Sequence, residues 1–559
     1  MQTAQKWLAQ KANQSVLFWL LGGLLFRCIV AFWLYPGFDE AYYYLYSIHL
    51  DWSYFDHPVL VALTTGLGPW LTGEVSQFTI RLGTLILYTG SLVLLYLTSA
   101  KLFSEKSARL TLAIATIIPM FQVGFGILTL PDSPLMFFWS ASLYCAACEF
   151  FGQPSTQEYK LLESDKSQPF VPYKPSYRLS YLGILIGLAC LGKYHGFVLG
   201  FGLVAFCLTS PRHRSALLSP WAWLGLGLFI VTIFPIWFWN IQHDWVSFGF
   251  QLERGVPRRS YNLLNVIVVF LTELAYLFPT LGLPLWWVSL RSLRDRTTQL
   301  FSKKSLTHQR DVEEKQWLIL WISVPLTLGF TLMGGYQQIL PTWPMPGFWG
   351  ITLLLGQQAV SWQKRSRRWV RRWLRGSGIV IGTSLLLALL HVTTGTLQKS
   401  SQYALMGGFW SPQDDPSTQL LDIEQLRRGF VESPVLSKAL QNSSFVFTNG
   451  YYLGGPIGMA LTPVFHTPIT CLCDDVRGFA FWSRPDQWLG KDALYITLSR
   501  FHRKKDLTDS YRPYFSSLQE IGTVPIRRGG AVTEVIYVYQ AKNLLKPYPR
   551  LYGIGSKEV

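Results

Sequence analysis

The feature that most constrains this chain is a series of apolar segments, nearly free of charge, at about 15–35, 80–100, 110–130, 134–151, 179–192, 195–209, 220–240, 263–290, 316–334, 344–360 and 376–394. A helix that crosses a bilayer core needs roughly 20 apolar residues, so these segments are of spanning or near-spanning length. They predict a mainly α, polytopic membrane protein of about eleven transmembrane helices. Composition agrees: of 559 residues, 50% are hydrophobic and only 14% charged, which excludes a disordered chain, a disulfide-rich miniprotein and an ordinary soluble enzyme. Five of the seven cysteines (Cys28, Cys145, Cys148, Cys190 and Cys207) lie in apolar runs, and Cys471 and Cys473 have neither zinc nor disulfide-framework spacing. The formal charge of +17 is spread between apolar segments, not along one stripe, so no nucleic-acid partner is expected.

Charge sets the orientation. Residues 110–151 and 179–209 each read as one long span or two short ones. When both are split, Lys101, Lys106 and Arg109, then Arg212 and Arg214, then Arg291, Arg294 and Arg296, and finally the cluster from Lys364 to Arg375 all face inward, as the positive-inside rule requires. Merging one pair alone would put the last cluster outside. The first segment exceeds a signal h-region and has no small-residue cleavage site, so it reads as a retained helix. The outer loops are then 36–79, the Pro131-Asp132-Ser133-Pro134 turn, the Lys193-Tyr194-His195 turn, 241–262 and 335–343, and 152–178 is a cytoplasmic insertion. Two domains follow: 1–394 in the membrane, and 395–559 as an extracytoplasmic α/β domain. In the latter, 444–448, 493–497 and 534–539 read as strands, and segments near 434–441, 450–461 and 510–518 as helices.

The acids of the membrane part gather on one side. Asp39, Glu40, Asp51, Asp56 and Glu74 share the first outer loop, Asp132 sits in the second outer turn, and Asp244 and Glu253 in the fourth outer loop; Lys193, Arg254, Arg258 and Arg259 face them. Charges of both signs beside nearly uncharged spans point to a charged substrate handled at the lipid surface. Each residue also has a plainer reading. Asp39 and Glu40 fit a solvated loop pair, Asp132 a helix cap, and Lys193 a snorkelling lysine. Asp56 and His57 have ligand chemistry suited to a divalent metal, although two adjacent residues do not complete a site. No cofactor is required by the sequence.

Phe38-Asp39-Glu40-Ala41-Tyr42-Tyr43, Leu50-Asp51-Trp52-Ser53-Tyr54-Phe55-Asp56-His57-Pro58, Leu130-Pro131-Asp132-Ser133-Pro134-Leu135 and Gly187-Leu188-Ala189-Cys190-Leu191-Gly192-Lys193-Tyr194 resemble, in order, the motifs of GT-C membrane glycosyltransferases. The nearest branch resembles the bacterial lipid A aminoarabinose transferase and protein O-mannosyltransferase relatives. The resemblance implies a GT-C fold in the inner membrane and an inverting transfer of a sugar from a polyprenyl-phosphate carrier to an acceptor lipid, glycan or protein at the outer face. It implies Asp39 as catalytic base and Asp132 as the second catalytic acid. Glu40, Tyr42, His57, Lys193, Arg254, Arg258, Tyr336 and Gln338 are the implied substrate-binding residues, with Lys193 and Arg254 receiving the phosphate charge. Two departures stand out. Gln338 replaces a tyrosine ahead of a Leu-Pro pair, with Tyr336 nearby, and Asp56-His57 replaces a Glu-Lys pair. A transporter or flippase for a lipid-linked saccharide is the competing class. It is disfavoured because only Arg27 and Glu273 fall clearly inside spans. A membrane scaffold is a third, against which the clustered outer acids argue.

Overall fold

The computed structural model describes residues 11–152, 173–256, 260–300 and 307–555. Helices Lys11–Trp33, Leu82–Leu102, Glu105–Ile117, Asp132–Phe150, Arg178–Gly192, Gly196–Thr209, Pro220–Thr232, Thr307–Met333, Met345–Arg365 and Arg367–Thr394 build the membrane bundle, with shorter helices between them. Starts are marked locally: Ser104, Ser219 and Ser366 each accept a first-turn backbone N–H through the side chain, which satisfies a donor the helix cannot. The core is a continuous set rich in Leu, Ile, Phe and Trp side chains, and buried among them are many Ser and Thr, several of which donate to a carbonyl four residues back in their own helix.

The segment 179–209 is broken at the expected turn, 193–195, whereas in 110–151 the break lies at 126–131, just ahead of the expected 131–134 turn, whose Asp132, Ser133 and Pro134 begin the next helix. Among the described residues four helices are long and apolar enough to cross a membrane, and two bent pairs add to them. The helices Arg178–Gly192 and Gly196–Thr209 are shorter than a full crossing. The 263–290 segment is not one span: Leu263–Leu277 meets the next helix at a 118° bend at Phe278, whose φ is 67°. If the second helix runs inward, a change of direction that large leaves the first lying across the bundle. Much of the predicted 152–178 insertion, residues 153–172, lies outside the described residues.

After Thr394 the chain forms one five-stranded sheet of order β2-β1-β3-β5-β4, with β1 Phe445–Thr448, β2 Ile469–Cys471, β3 Ala493–Leu498, β4 Phe515–Arg528 and β5 Ala531–Leu544. The first three are parallel and the last two form a long antiparallel hairpin. Helices Pro434–Gln441 and Tyr451–Phe465 match expectation. The expected helix at 510–518 does not: only Arg512–Tyr514 is a 3-10 turn, and Phe515 onward pairs with β5. The cross-strand partner, remote in sequence from that window, overrides local preference.

The sheet domain does not stand apart from the membrane part. Helix Tyr451–Phe465 packs against helix Phe38–Ile48, and a Cβ added at Gly455 would come within 2.5 Å of the Tyr42 backbone nitrogen. Only glycine allows that approach, which brings the first outer loop under the sheet domain.

Candidate active site

The first outer helix, Phe38–Ile48, presents two neighbouring acids to different surroundings. Glu40 is 1% exposed and accepts from both ends of the Arg81 guanidinium at 2.7 Å, from the Thr129 N–H at 3.0 Å and from the Gly37 N–H at 2.9 Å. Arg81 spends its other donors on the carbonyls of Ala31, Leu34 and Tyr35, at the end of the first helix. Glu40 is therefore a structural anchor, fully consumed, and the substrate-binding role expected of it is corrected. Asp39 makes no hydrogen bond or ion pair among the described residues, and it is open to solvent within a recess closely surrounded by protein. Burial, then the nearby Asp56 charge, raise its carboxyl above the usual range, while Arg477 and Arg254 oppose the rise.

Tyr42 is also reassigned. It is fully buried, its hydroxyl accepts from the Gly478 N–H at 2.8 Å, and its ring packs on Tyr451, Phe479 and Trp482 of the sheet domain. It joins the two parts of the chain and does not face a substrate.

Asp132 opens helix Asp132–Phe150 and makes no side-chain cap bond. Both of its oxygens accept from Lys193 Nζ at 2.9 Å, with both residues buried. Packing produces the pair: a Cβ at Gly192 would meet the Leu135 nitrogen at 2.6 Å, so the bare backbone lets the two helix ends touch. Lys193 is accordingly no snorkelling lysine. The pair sets a cation, held by an acid, beside His57 and His195, and it lowers both imidazoles further. Burial is the main cause in each case, and His57 is pushed down to about 3. Both rings are neutral at physiological pH, and His57 Nδ1 and His195 Nε2 are buried without a partner.

Asp56 does not complete a metal site with His57. It accepts from the Tyr46 hydroxyl and, at 3.2 Å, from Arg477, with which it forms a buried ion pair. Among the described residues no group of three His, Cys, Asp or Glu side chains could hold a metal ion. The residues present thus do not fit the metal considered from the sequence.

Arg477 is the site residue that sequence reasoning missed. It comes from the loop after β2 and has a φ of 44°. Its guanidinium lies 3.8 Å from the Tyr451 ring centroid and also bonds Asp475. Burial alone would lower its pKa, but Asp56, Tyr451 and Asp475 more than reverse this, so the group stays charged. Arg254, over the Phe250 ring at 4.4 Å, is the second cation within reach of Asp39. It lines a groove of about 410 Å³ together with Tyr336, Gln338 and Trp343, so three of the expected substrate residues do share one surface. Arg258 lies outside the described residues.

The candidate site is thus an unpaired carboxyl with Asp56, Arg477 and Arg254 close by, where the helical bundle meets the small sheet domain. The family model for dolichyl-phosphate-mannose-protein mannosyltransferase matches residues 56–151 and 173–239, within the helical bundle that carries this site. The crystal structure of ArnT from Cupriavidus metallidurans in the apo state superposes with a TM-score of 0.58 at 13% identity, covering 95% of this chain and 98% of that one. The lipid A galacturonosyltransferase RgtD of Rhizobium johnstonii is 23% identical over 357 residues, or 61% of this chain and 64% of the relative. The match spans less than two thirds of that relative.

Proposed function

We propose that this chain transfers a sugar from a polyprenyl-phosphate carrier to an acceptor hydroxyl at the outer face of the membrane, with Asp39 as the base. One observation carries the reading: of two adjacent acids on one helix, Glu40 is wholly consumed by Arg81 and backbone donors, whereas Asp39 is unpaired, recessed and near Arg254 and Arg477. The acceptor oxygen attacks the anomeric carbon as the bond from that carbon to the phosphate oxygen breaks. The bonding pair leaves on the phosphate, and the hydroxyl proton goes to Asp39. Attack opposite the phosphate inverts the anomeric centre.

A phosphate leaving group gains charge and needs cations more than a proton. Arg254 and Arg477 supply them, and Lys193 adds to the field while Asp132 fixes its position. His57 is neutral and adds no charge of its own, so the cations of this region are Arg254 and Lys193 of the bundle and Arg477 of the sheet domain. The relative named as a lipid A transferase supports a lipid acceptor. The test is transfer of label from a radiolabelled polyprenyl-phosphate sugar, with purified full-length protein, into membrane lipids, followed by mass spectrometry of the product. No labelled lipid from any such donor sinks the proposal.

The topology belongs to the same reading: eleven crossings, with residues 395–559 outside and the cluster at 364–375 inside. A periplasm-dependent reporter fused at Gly408 is expected to be active. Activity there of a cytoplasm-dependent reporter instead would place Asp39 on the wrong side for an outer-face reaction.

A further inference from the structure

Glu273 has no part in the chemistry above, yet it is the one acid inside the apolar segment that begins at Leu263, and it is 2% exposed. Its two oxygens share one protein donor, the Thr331 hydroxyl, at 2.9 and 3.1 Å. That hydroxyl has a single hydrogen and lies 2.6 Å from the Thr327 carbonyl, so it cannot serve both acceptors at once. No cation pairs with Glu273 among the described residues. A carboxyl so thinly held within a membrane bundle is costly to keep, and such groups mark binding sites more often than structure.

Glu273 lines a cavity of about 360 Å³, large enough for a sugar-sized head group, whose other polar walls are Asn265, Thr272, Gln337 and Gln338. Gln337 Nε2 is buried there without a partner. The cavity and the groove that holds Arg254 share Gln337, Gln338 and Leu340, so the two spaces adjoin. One end carries the Arg254 cation, beside Glu253, and suits the carrier phosphate. The other, lined by Glu273 and amides, has no cation to hold a phosphate. On the outer side of the same helix, Leu263, Leu264, Ile267, Val268 and Leu271 are exposed and apolar, a surface suited to acyl chains.

We propose that this cavity binds the head group of the acceptor, a sugar-bearing lipid whose hydroxyl or ammonium hydrogens go to Glu273 and whose oxygens accept from Gln337. The assignment deepens the transfer reading and rests on it. It is tested with full-length protein in nanodiscs, titrated separately with lipid A and with undecaprenyl phosphate, for wild type, Glu273→Gln and Gln337→Leu. Each variant is first checked for monodisperse elution. Replacing an acceptor oxygen by an amide NH2, which cannot accept the head-group hydrogens, predicts lipid A binding weaker by about tenfold or more in Glu273→Gln, with undecaprenyl phosphate binding within about twofold of wild type. Gln337→Leu lies on the facing wall and carries the test if Glu273→Gln does not fold.

Unchanged lipid A binding in the folded variants overturns the proposal. So does a loss confined to undecaprenyl phosphate, which would give the cavity to the donor, and so does failure of the wild type to bind lipid A. Failure of the wild type to bind undecaprenyl phosphate, with lipid A binding still dependent on Glu273, strikes the donor reading alone and supports the cavity assignment.

Discussion

Asp39→Asn is expected to lower sugar transfer by about two orders of magnitude or more while leaving donor binding near normal. The amide keeps the shape and hydrogen-bonding capacity of the carboxyl but cannot take the acceptor proton. The carrier phosphate is assigned to Arg254 and Arg477, which the substitution does not touch. In the wild type the base must be ionised, and burial with Asp56 raises its carboxyl above the ordinary range. Activity therefore falls as pH drops through that raised value, and the acid limb of the pH profile sits higher than for a solvated aspartate. In Asp39→Asn the limb disappears. Glu40→Gln is the control with a different signature: it leaves Arg81 buried without its carboxylate partner, so thermal stability should drop, while the acid limb of the folded fraction persists and moves to slightly lower pH, because the Glu40 charge helps to raise the Asp39 carboxyl. Transfer from labelled donor across pH, measured beside donor binding, separates the two. Near-normal transfer by Asp39→Asn would remove Asp39 from the chemistry.

Arg477→Ala is expected to cut turnover by about tenfold or more and to weaken donor binding, because it removes a half-buried cation next to the leaving phosphate and leaves Asp56 buried without its ion-pair partner. Its distinguishing readout is again the pH profile. Arg477 lowers the Asp39 carboxyl, so its loss lets that carboxyl rise further and shifts the acid limb to higher pH. A merely structural role would reduce the folded fraction without moving the limb. Arg477→Lys keeps the charge but not the planar face on Tyr451, and should recover the position of the limb while recovering only part of the rate. An unshifted limb in folded Arg477→Ala would limit Arg477 to holding the domains together.

Much of this was legible along the chain because the forces responsible are local or summed over a segment. Hydropathy marked the helical bundle, and the charge of short loops required both long segments to be split, the second at 193–195 as found and the first a few residues after the observed break at 126–131. Alternation of apolar and polar residues marked the positions of β1, β3 and β5. Asp39 and Asp132 were singled out from their motifs, and the structure puts both at the bundle's sheet-domain end, Asp132 in a pair with Lys193. The sequence alone did not say which of Asp39 and Glu40 is free. Adjacent residues on a helix point about 100° apart, so the choice rests on what packs against each face, and Arg81 takes Glu40 from 41 residues away. Nor did it show Arg477, whose partner Asp56 is 421 residues distant in the chain, or the severity of the bend at Phe278. Pairings at such separation leave no periodic trace in the sequence. They are decided by tertiary packing, which close backbone approaches such as those at Gly192 and Gly455 allow, the one joining two helix ends and the other the bundle and the sheet domain.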